Sequence, residues 1–164
     1  MSTLGKKADG AQAGMDIDIR EVLGCTCLRL RSITRGVTQL YDHLLAPAGI
    51  TIGQFGILAR LYGAGLRGQT AVPIGIFAEQ HSMDPTTLTR NLKPLIAAGL
   101  VEDGRDESDR RVRTLSLTPT GRARLSEAMP YWREAQHRIE AALGTETMLV
   151  LNGLLDLSSV KLKM

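Results

Sequence analysis

The chain has 164 residues, of which 43% are hydrophobic, and a formal net charge of +3 at pH 7. This length allows one compact domain with a core, and the apolar fraction excludes a disordered protein. No apolar run approaches the ~18 residues that cross a bilayer, and no secretory signal follows Lys6 and Lys7, so the sequence predicts a cytoplasmic protein without a membrane partner.

The first part of the chain predicts a tail followed by two helices. Residues 1–14 are mainly Gly, Ala, Lys and Ser, which predicts a disordered tail. Apolar residues then recur at helical spacing over 17–45 and predict one long amphipathic helix, which stops near Pro47. Thr51 is a candidate N-cap for a second helix that ends in the Gly-rich stretch 63–68.

The next segment predicts two short helices joined by a tight turn. Pro73 suits the first turn of a third helix, and a turn follows at 81–83. Asp84 and Pro85 form a strong helix start, because Asp is a good N-cap and Pro suits the first helical position. Gly99 is expected to end this fourth helix.

The fourth helix is predicted to have an apolar face and a polar face. The residues expected to pack inward recur at steps of three and four: Leu88, Leu92, Leu95 and Ile96. Threonine, arginine and lysine side chains near its start can bond phosphates and base edges, and the helix N-terminus attracts phosphate. These candidate DNA contacts are Thr86, Thr87, Thr89, Arg90 and Lys93.

After Gly99 the pattern changes from helical to alternating, which predicts two short strands joined by a charged tip at 105–111. An arginine at such a tip can enter the narrow minor groove of DNA, and a nearby aspartate can fix its guanidinium by a bidentate pair. Asp109, Arg110 and Arg111 are the candidates. Residues 85–124 also hold eight basic and five acidic side chains, so the positive excess lies here.

The remaining sequence predicts two more helices. Thr118 and Pro119 start a long helix in which Pro130 predicts a kink or break. A last helix follows Gly144 and Thr145. The predicted fold is therefore mostly α with a small two- to three-stranded β wing, which is a winged helix-turn-helix beside a helical dimerisation lobe.

Nothing in the sequence indicates an enzyme. His43, His81 and His137 are scattered and have no Cys, Asp or Glu neighbours at metal-ligand spacing. A phosphate-binding glycine loop and a nucleophile elbow are both absent from the sequence. We therefore expect no catalytic residue, no metal and no cofactor.

The stretch 84–121 resembles the recognition helix and wing of the MarR family of regulators. The resemblance is carried by Asp-Pro-Thr-Thr-Leu-Thr-Arg at 84–90, Gly-Leu-Val at 99–101, Asp-Glu-Ser-Asp-Arg-Arg at 106–111 and Leu-Thr-Pro-Thr-Gly at 117–121. It extends over roughly residues 17–158. The Gly-rich stretch 63–72 is longer than the usual connection in the family, which puts the approach angle of the helix-turn-helix in doubt.

This resemblance implies a single domain over 15–158 that forms a homodimer. Residues 17–47 and 119–160 would supply the dimerisation helices, and residues 51–118 the winged-helix DNA-binding lobe. Each protomer would place its fourth helix in a major groove and its wing in the adjoining minor groove of a pseudo-palindromic operator. Arg111 matches the family's minor-groove arginine and Asp109 the aspartate that orients it.

The resemblance also implies a transcription regulator, commonly a repressor, that a signal releases from double-stranded DNA. One hypothesis is a small ligand such as an aromatic acid, with the candidate residues Arg31, Arg35, Tyr41 and Phe55, because an arginine pairs with a carboxylate. A second is oxidation of Cys27, whose spacing to Tyr41 resembles the organic-hydroperoxide branch of the family, with a purely structural cysteine as the alternative. A winged-helix protein-interaction module that has lost DNA binding is a third interpretation.

Overall fold

The computed structural model describes residues 19–162. The predicted tail at 1–14 lies outside these residues. The chain divides into two compact units, with the boundary between Arg35 and Gly36. Each is described by itself.

The unit before Gly36 is helical, but it does not contain the single unbroken helix that the periodicity predicts. Helix α1 spans Ile19–Leu23 and helix α2 begins at Thr26. The amide of Gly24 donates to the carbonyl of Arg20, and the amide of Cys25 donates to that of Val22. Glycine is a poor helix former, so the break at Gly24 has a local cause that apolar spacing alone does not reveal.

The larger unit begins inside α2, which ends at Leu45, and continues through a 3-10 turn, Ala46–Ala48, into helix α3, Ile52–Leu66. Thr51 caps α3 as predicted: its hydroxyl accepts from the Gln54 amide, and the Gln54 side chain accepts from the Thr51 amide. This reciprocal pair satisfies two backbone donors that the first turn leaves free.

Helices α4, Ile74–Gln80, and α5, Pro85–Ala97, form the predicted helix-turn-helix. Three short strands follow the order β1–β3–β2, with β1 at Val72–Pro73, β2 at Val101–Arg105 and β3 at Arg113–Leu117, and both pairings are antiparallel. The two-residue β1 was not predicted individually, because it is too short to show alternation. The fold class is confirmed: mostly helical, with a small three-stranded wing.

The core of this unit lies where α3 and α5 pack against the base of the wing. Its largest fully buried side chains come from several elements: Leu45, Ile57, Leu58, Phe77, Leu95, Val101 and Leu115. The predicted inward face of α5 is confirmed, because Leu88, Leu92 and Leu95 are buried and Ile96 packs against the same cluster. The opposite face of α5 is thereby left exposed.

Helix α6 spans Pro119–Leu143 and helix α7 spans Thr145–Lys161. A kink or a break was predicted at Pro130; the break is wrong, since α6 continues through this residue, and the kink stays a prediction. Proline removes one helical hydrogen bond. Here Pro130 and Ser126, whose carbonyl loses that bond, are both exposed, so water can satisfy the carbonyl. Within the described chain, no single helix is long and apolar enough to span a membrane, although α2 with its 3-10 turn and α3 pass that test together as a bent pair.

A compact junction joins the wing to α6. Gly99 ends the α5 segment with φ +66°, and the Leu100 amide donates back to the carbonyl of Leu95. The Thr118 hydroxyl donates to the carbonyl of Gly99 at 2.7 Å and accepts from the amide of Gly121 at 2.9 Å. This one side chain therefore caps α6 and also holds the end of α5 and the start of β2 in place.

We expect Thr118→Ala to lower the free energy of unfolding by about 0.5–2 kcal/mol, because the variant lacks the N-cap hydrogen bond. Urea denaturation followed by circular dichroism measures this change. The matched control is Thr118→Ser, which keeps the hydroxyl and should retain most of the stability. Equal stability of the alanine variant and the parent would contradict the capping role.

Candidate nucleic-acid interface

The start of α5 is organised by Asp84, the predicted N-cap. Its carboxylate accepts from the Thr87 amide at 2.9 Å. A hydrogen bond with the Thr87 side chain is the main reason that the pKa of Asp84 lies below its usual range, and the bond with the Thr87 amide lowers this pKa further. The carboxylate therefore stays ionised at neutral pH and stabilises the positive end of the helix.

The predicted DNA-contacting side chains of α5 lie on its uncovered face. Thr86, Thr89, Arg90 and Lys93 are exposed and Thr87 is half-buried. The sequence did not single out Asn91. Its side-chain amide donates a hydrogen bond to the carbonyl of Thr87, one turn earlier in the same helix, at 2.9 Å. In the described part of the chain, Arg90 and Lys93 make no ion pair. Their charges are therefore available to an anionic partner.

The wing tip is held by Asp106, whose role as an organiser the sequence did not reveal. One carboxylate oxygen accepts from the Ser108 amide at 2.9 Å, the Ser108 hydroxyl at 2.5 Å and the Asp109 amide at 3.1 Å. The Asp106 amide donates to the carbonyl of Val112, which closes the loop. These hydrogen bonds lower the pKa of Asp106. An aspartate with a serine two residues later is the sequence signal of such a turn.

Asp109 and Arg111 form the bidentate pair that the tip sequence suggests. The Arg111 Nε lies 3.0 Å from Asp109 Oδ1, and the second guanidinium bond measures 3.1 Å. The Arg111 amide also donates to Asp109 at 3.0 Å. The Arg111 side chain is 91% exposed, so the carboxylate fixes a guanidinium that projects into solvent. This bonding lowers the pKa of Asp109, and the pair breaks only in acid.

The stem of the wing carries a second pair that the sequence did not predict. Arg113 on β3 makes a bidentate ion pair with Asp103 on β2. In the antiparallel register Asp103 lies opposite Leu115 and Arg113 opposite Arg105, so the two are diagonal neighbours. Long side chains reach across that spacing. The Arg113 guanidinium holds the pKa of Asp103 below its usual range.

Arg110, the remaining predicted contact at the wing tip, is exposed. It has no ion-pair partner among residues 19–162. Its charge, like those of Arg90 and Lys93, is therefore available to an anionic partner.

The predicted effector residues fall into two groups. Arg31 and Arg35 are exposed on α2 in the smaller unit. In the larger unit Tyr41 is buried and its hydroxyl donates to Gln136 Oε1 at 2.5 Å, while the Phe55 ring stacks on Trp132 with centroids 5.8 Å apart. Burial raises the pKa of Tyr41. Both aromatic side chains thus have core partners that lie far away in sequence.

The larger unit also has two adjoining cavities, of about 370 and 410 Å³, that the sequence did not indicate. They share Tyr62 and Arg122, whose guanidinium carbon lies 5.2 Å from the ring centroid. Cys25 and Cys27 are free thiols, and Cys27 is exposed. Over residues 19–162 there is no group of three His, Cys, Asp or Glu side chains able to hold a metal ion.

The chain is similar to known transcription regulators. No family model matches the chain. The HTH-type transcriptional repressor YetL of Bacillus subtilis (strain 168) is 28% identical over 103 residues, which are 63% of this chain and 60% of that protein. The chain therefore spans less than two thirds of the length of this curated relative.

Solved structures match over a longer part of the chain. The transcriptional regulator MosR of M. tuberculosis in complex with DNA is 30% identical, with a TM-score of 0.70 over 85% of this chain and 99% of that one. A mutant MarR from E. coli complexed with operator DNA shares the fold, with a TM-score of 0.71 at 22% identity, over 85% and 96% of the two chains. The winged fold and the identity to MosR together show that the chain belongs to the MarR family of winged helix-turn-helix transcription regulators.

Proposed function

We propose that this protein is a sequence-specific DNA-binding regulator, acting as a repressor in the cytoplasm, that binds a pseudo-palindromic operator as a homodimer. The observation that carries the proposal is the pair at the wing tip. Asp109 holds the Arg111 guanidinium at 3.0 Å while leaving the arginine 91% exposed. An oriented, exposed guanidinium suits insertion into the negative potential of a minor groove. The unpaired Arg90 and Lys93 on α5 suit the adjoining major groove.

The test is a gel shift of the full chain with DNA from its own promoter region. We expect retarded complexes whose affinity falls steeply as salt increases, because phosphate contacts release counterions. No binding at modest salt would overturn the proposal. That outcome would favour the interpretation of a winged-helix module that binds proteins.

The homodimer is supported by apolar side chains that this chain leaves uncovered. None of the described residues of α7 is buried, and its large apolar side chains remain exposed: Leu149, Val150, Leu151, Leu154, Leu155, Leu157 and Val160. At 100° per residue they spread around most of the helix and leave a narrow polar strip with Asn152 and Asp156. Such a helix needs a partner surface, and a second copy of this chain is the partner we propose.

We expect the parent to sediment as a dimer and Leu154→Glu to shift it toward the monomer, because the variant places a charge in an apolar interface. Analytical ultracentrifugation measures the change. Asn152→Glu is the matched control, since it adds the same charge on the polar strip and should leave the dimer intact. A monomeric parent, or equal behaviour of the two variants, would contradict this interface.

For the signal, we propose a small acid as the effector, with Arg31 and Arg35 as candidate partners of its carboxylate and Tyr41 and Phe55 as candidate aromatic contacts. The two arginines are exposed and make no ion pair within 19–162, whereas the aromatic rings already have core partners. Tyr62 and Arg122 offer the same chemistry at the two cavities.

A thermal-shift screen of aromatic carboxylates distinguishes these sites. We expect the ligand-induced increase in melting temperature to disappear in the Arg31→Ala/Arg35→Ala variant and to persist in Arg122→Ala. The reverse result would indicate that the ligand binds at the cavities. Release of DNA by peroxide in the parent, but not in Cys27→Ser, would instead favour the redox alternative, for which the exposed thiol of Cys27 is accessible.

A further inference from the structure

Helix α3 and Arg67, the residue that directly follows it, carry a repeated Gly-x-x-x-Arg pattern on the exposed side of the helix. Gly56 precedes Arg60 by four residues, and Gly63 precedes Arg67 by four. The seven-residue interval keeps both pairs on one face of the helix and separates them by about 10 Å along its axis. We call these four residues the arginine stripe.

Gly56 makes room for the guanidinium group of Arg60, whereas Gly63 is not needed to make room for that of Arg67. A Cβ added at Gly56 would lie 2.8 Å from the Arg60 Nη1, and one added at Gly63 would lie 3.6 Å from the Arg67 Nη1. Helical side chains point toward the N-terminus of their own helix, and here each arginine folds back over the glycine one turn earlier. Gly56 allows an approach that an alanine would block, whereas Gly63 leaves ordinary van der Waals distance.

Neither arginine has a counterion among the residues that the structure describes. Some other arginines of the described chain are paired with a carboxylate, namely Arg111, Arg113, Arg124 and Arg138. Arg60 and Arg67 are exposed and have no ion-pair or side-chain hydrogen-bond partner anywhere within residues 19–162. Exposed guanidinium groups without a carboxylate partner are suited to bidentate binding of an oxyanion.

The arginine stripe adjoins the helix-turn-helix. His81 ends α4, three residues before the cap of α5, and its ring packs edge-on against Phe77 with centroids 4.7 Å apart. Burial lowers the pKa of His81, and the charges of Arg60 and Arg67 lower it further. Both arginines therefore act on the turn that leads into α5, and at neutral pH the positive charge there comes from them and not from the imidazole.

We propose that Arg60 and Arg67 bind phosphates of the DNA backbone beside the major groove that α5 enters, with Gly56 positioning Arg60. The inference rests on the proposed DNA binding and adds a third DNA-binding surface, at α3 and Arg67, to those of α5 and the wing. Contacts to phosphate carry no base information. Removing them weakens binding to all sequences alike and reduces its salt dependence.

Fluorescence anisotropy with a labelled promoter fragment, measured over a series of salt concentrations, tests the proposal. The test variant is Arg60→Gln/Arg67→Gln, and the charge-matched control is Arg133→Gln/Arg138→Gln on α6. We expect the slope of log K against log salt to fall in magnitude by about 0.9 for each phosphate that the variant no longer binds. This decrease in slope should be the same on operator DNA and on unrelated DNA, while the control variant should keep the slope of the parent.

A test variant whose slope equals that of the control would overturn the inference, while the parent would still bind and the proposed function would stand. An acidic protein surface would then be the better partner for the arginine stripe. A parent that binds no DNA would overturn both. Thermal melts of each variant check that the fold is intact.

The glycine supplies a second test that keeps both charges. Gly56→Ala should displace the Arg60 guanidinium and reproduce part of the fall in affinity, while Gly65→Ala in the same helix should not, because a Cβ there meets nothing within 4 Å. Alanine also strengthens a helix relative to glycine, so weaker binding in Gly56→Ala cannot come from unfolding of α3. Equal binding by the two variants would show that Gly56 does not position Arg60.

Discussion

Arg111→Ala is expected to bind operator DNA roughly 5- to 150-fold more weakly than the parent, with the melting temperature little changed. The guanidinium projects from the wing tip and is 91% exposed. The substitution therefore removes a group that can reach DNA but no packing within the protein. Anisotropy with the promoter fragment measures the affinity, and a thermal melt measures the stability.

Arg138→Ala is the matched control for Arg111→Ala. Arg138 is also an exposed arginine paired with a neighbouring carboxylate, that of Glu134 at 2.7 Å, but it lies on α6. We expect it to leave affinity unchanged. Asp109→Ala should weaken binding less than Arg111→Ala, because it frees the guanidinium without removing it. Clear destabilisation of Arg111→Ala in the melt would show instead that the residue is structural.

Gly121→Ala is expected to destabilise the fold more than any other of these variants, by about 1–3 kcal/mol or more. A Cβ at this position would lie 2.0 Å from the carbonyl oxygen of Leu100 and 2.8 Å from a methyl of Leu117. The first neighbour is backbone, so it cannot rotate away. The wing and α6 would have to separate at their junction, which also bears the Thr118 cap.

Urea denaturation of Gly121→Ala measures this destabilisation, with Gly65→Ala as the control. The control adds the same methyl group inside a helix where nothing lies within 4 Å, and it should be neutral or stabilising. Parent-like stability of Gly121→Ala would contradict the close junction. The close junction therefore explains why a glycine ends the Leu-Thr-x-x-Gly motif. In the sequence this glycine only contributed to the resemblance to the family.

Local chemistry made α5 and the wing predictable. Asp84 and Pro85 start a helix and Gly99 ends one because of properties of those residue types. The Asp109–Arg111 pair spans two residues, so its two partners are visible in one short stretch of sequence. The long-range contacts could not be predicted in this way. Tyr41 meets Gln136, 95 residues away, and nothing in the pattern around Tyr41 indicates that its hydroxyl is already bonded.

The wing stem and the arginine stripe show a second reason why part of the site could not be predicted from the sequence. Asp103 meets Arg113 only because the register of β2 and β3 makes them diagonal neighbours, and a hairpin prediction without a register cannot pair them. The spacing of Gly56, Arg60, Gly63 and Arg67 is visible in the sequence. Its meaning depends on the direction of the side chains and on the absence of carboxylate partners among the described residues, both of which are properties of the folded chain.

Hydroxyl-radical footprinting of the full chain on the promoter fragment that binds most tightly tests the central claim most directly. If α5 enters the major groove and Arg111 the adjoining minor groove, two symmetric half-sites should be protected, with centres separated by one helical turn of about 10 bp or a multiple of it. Arg111→Ala should lose protection at the minor groove alone. Uniform protection without half-sites, or a footprint that Arg111→Ala leaves unchanged, would contradict this mode of binding.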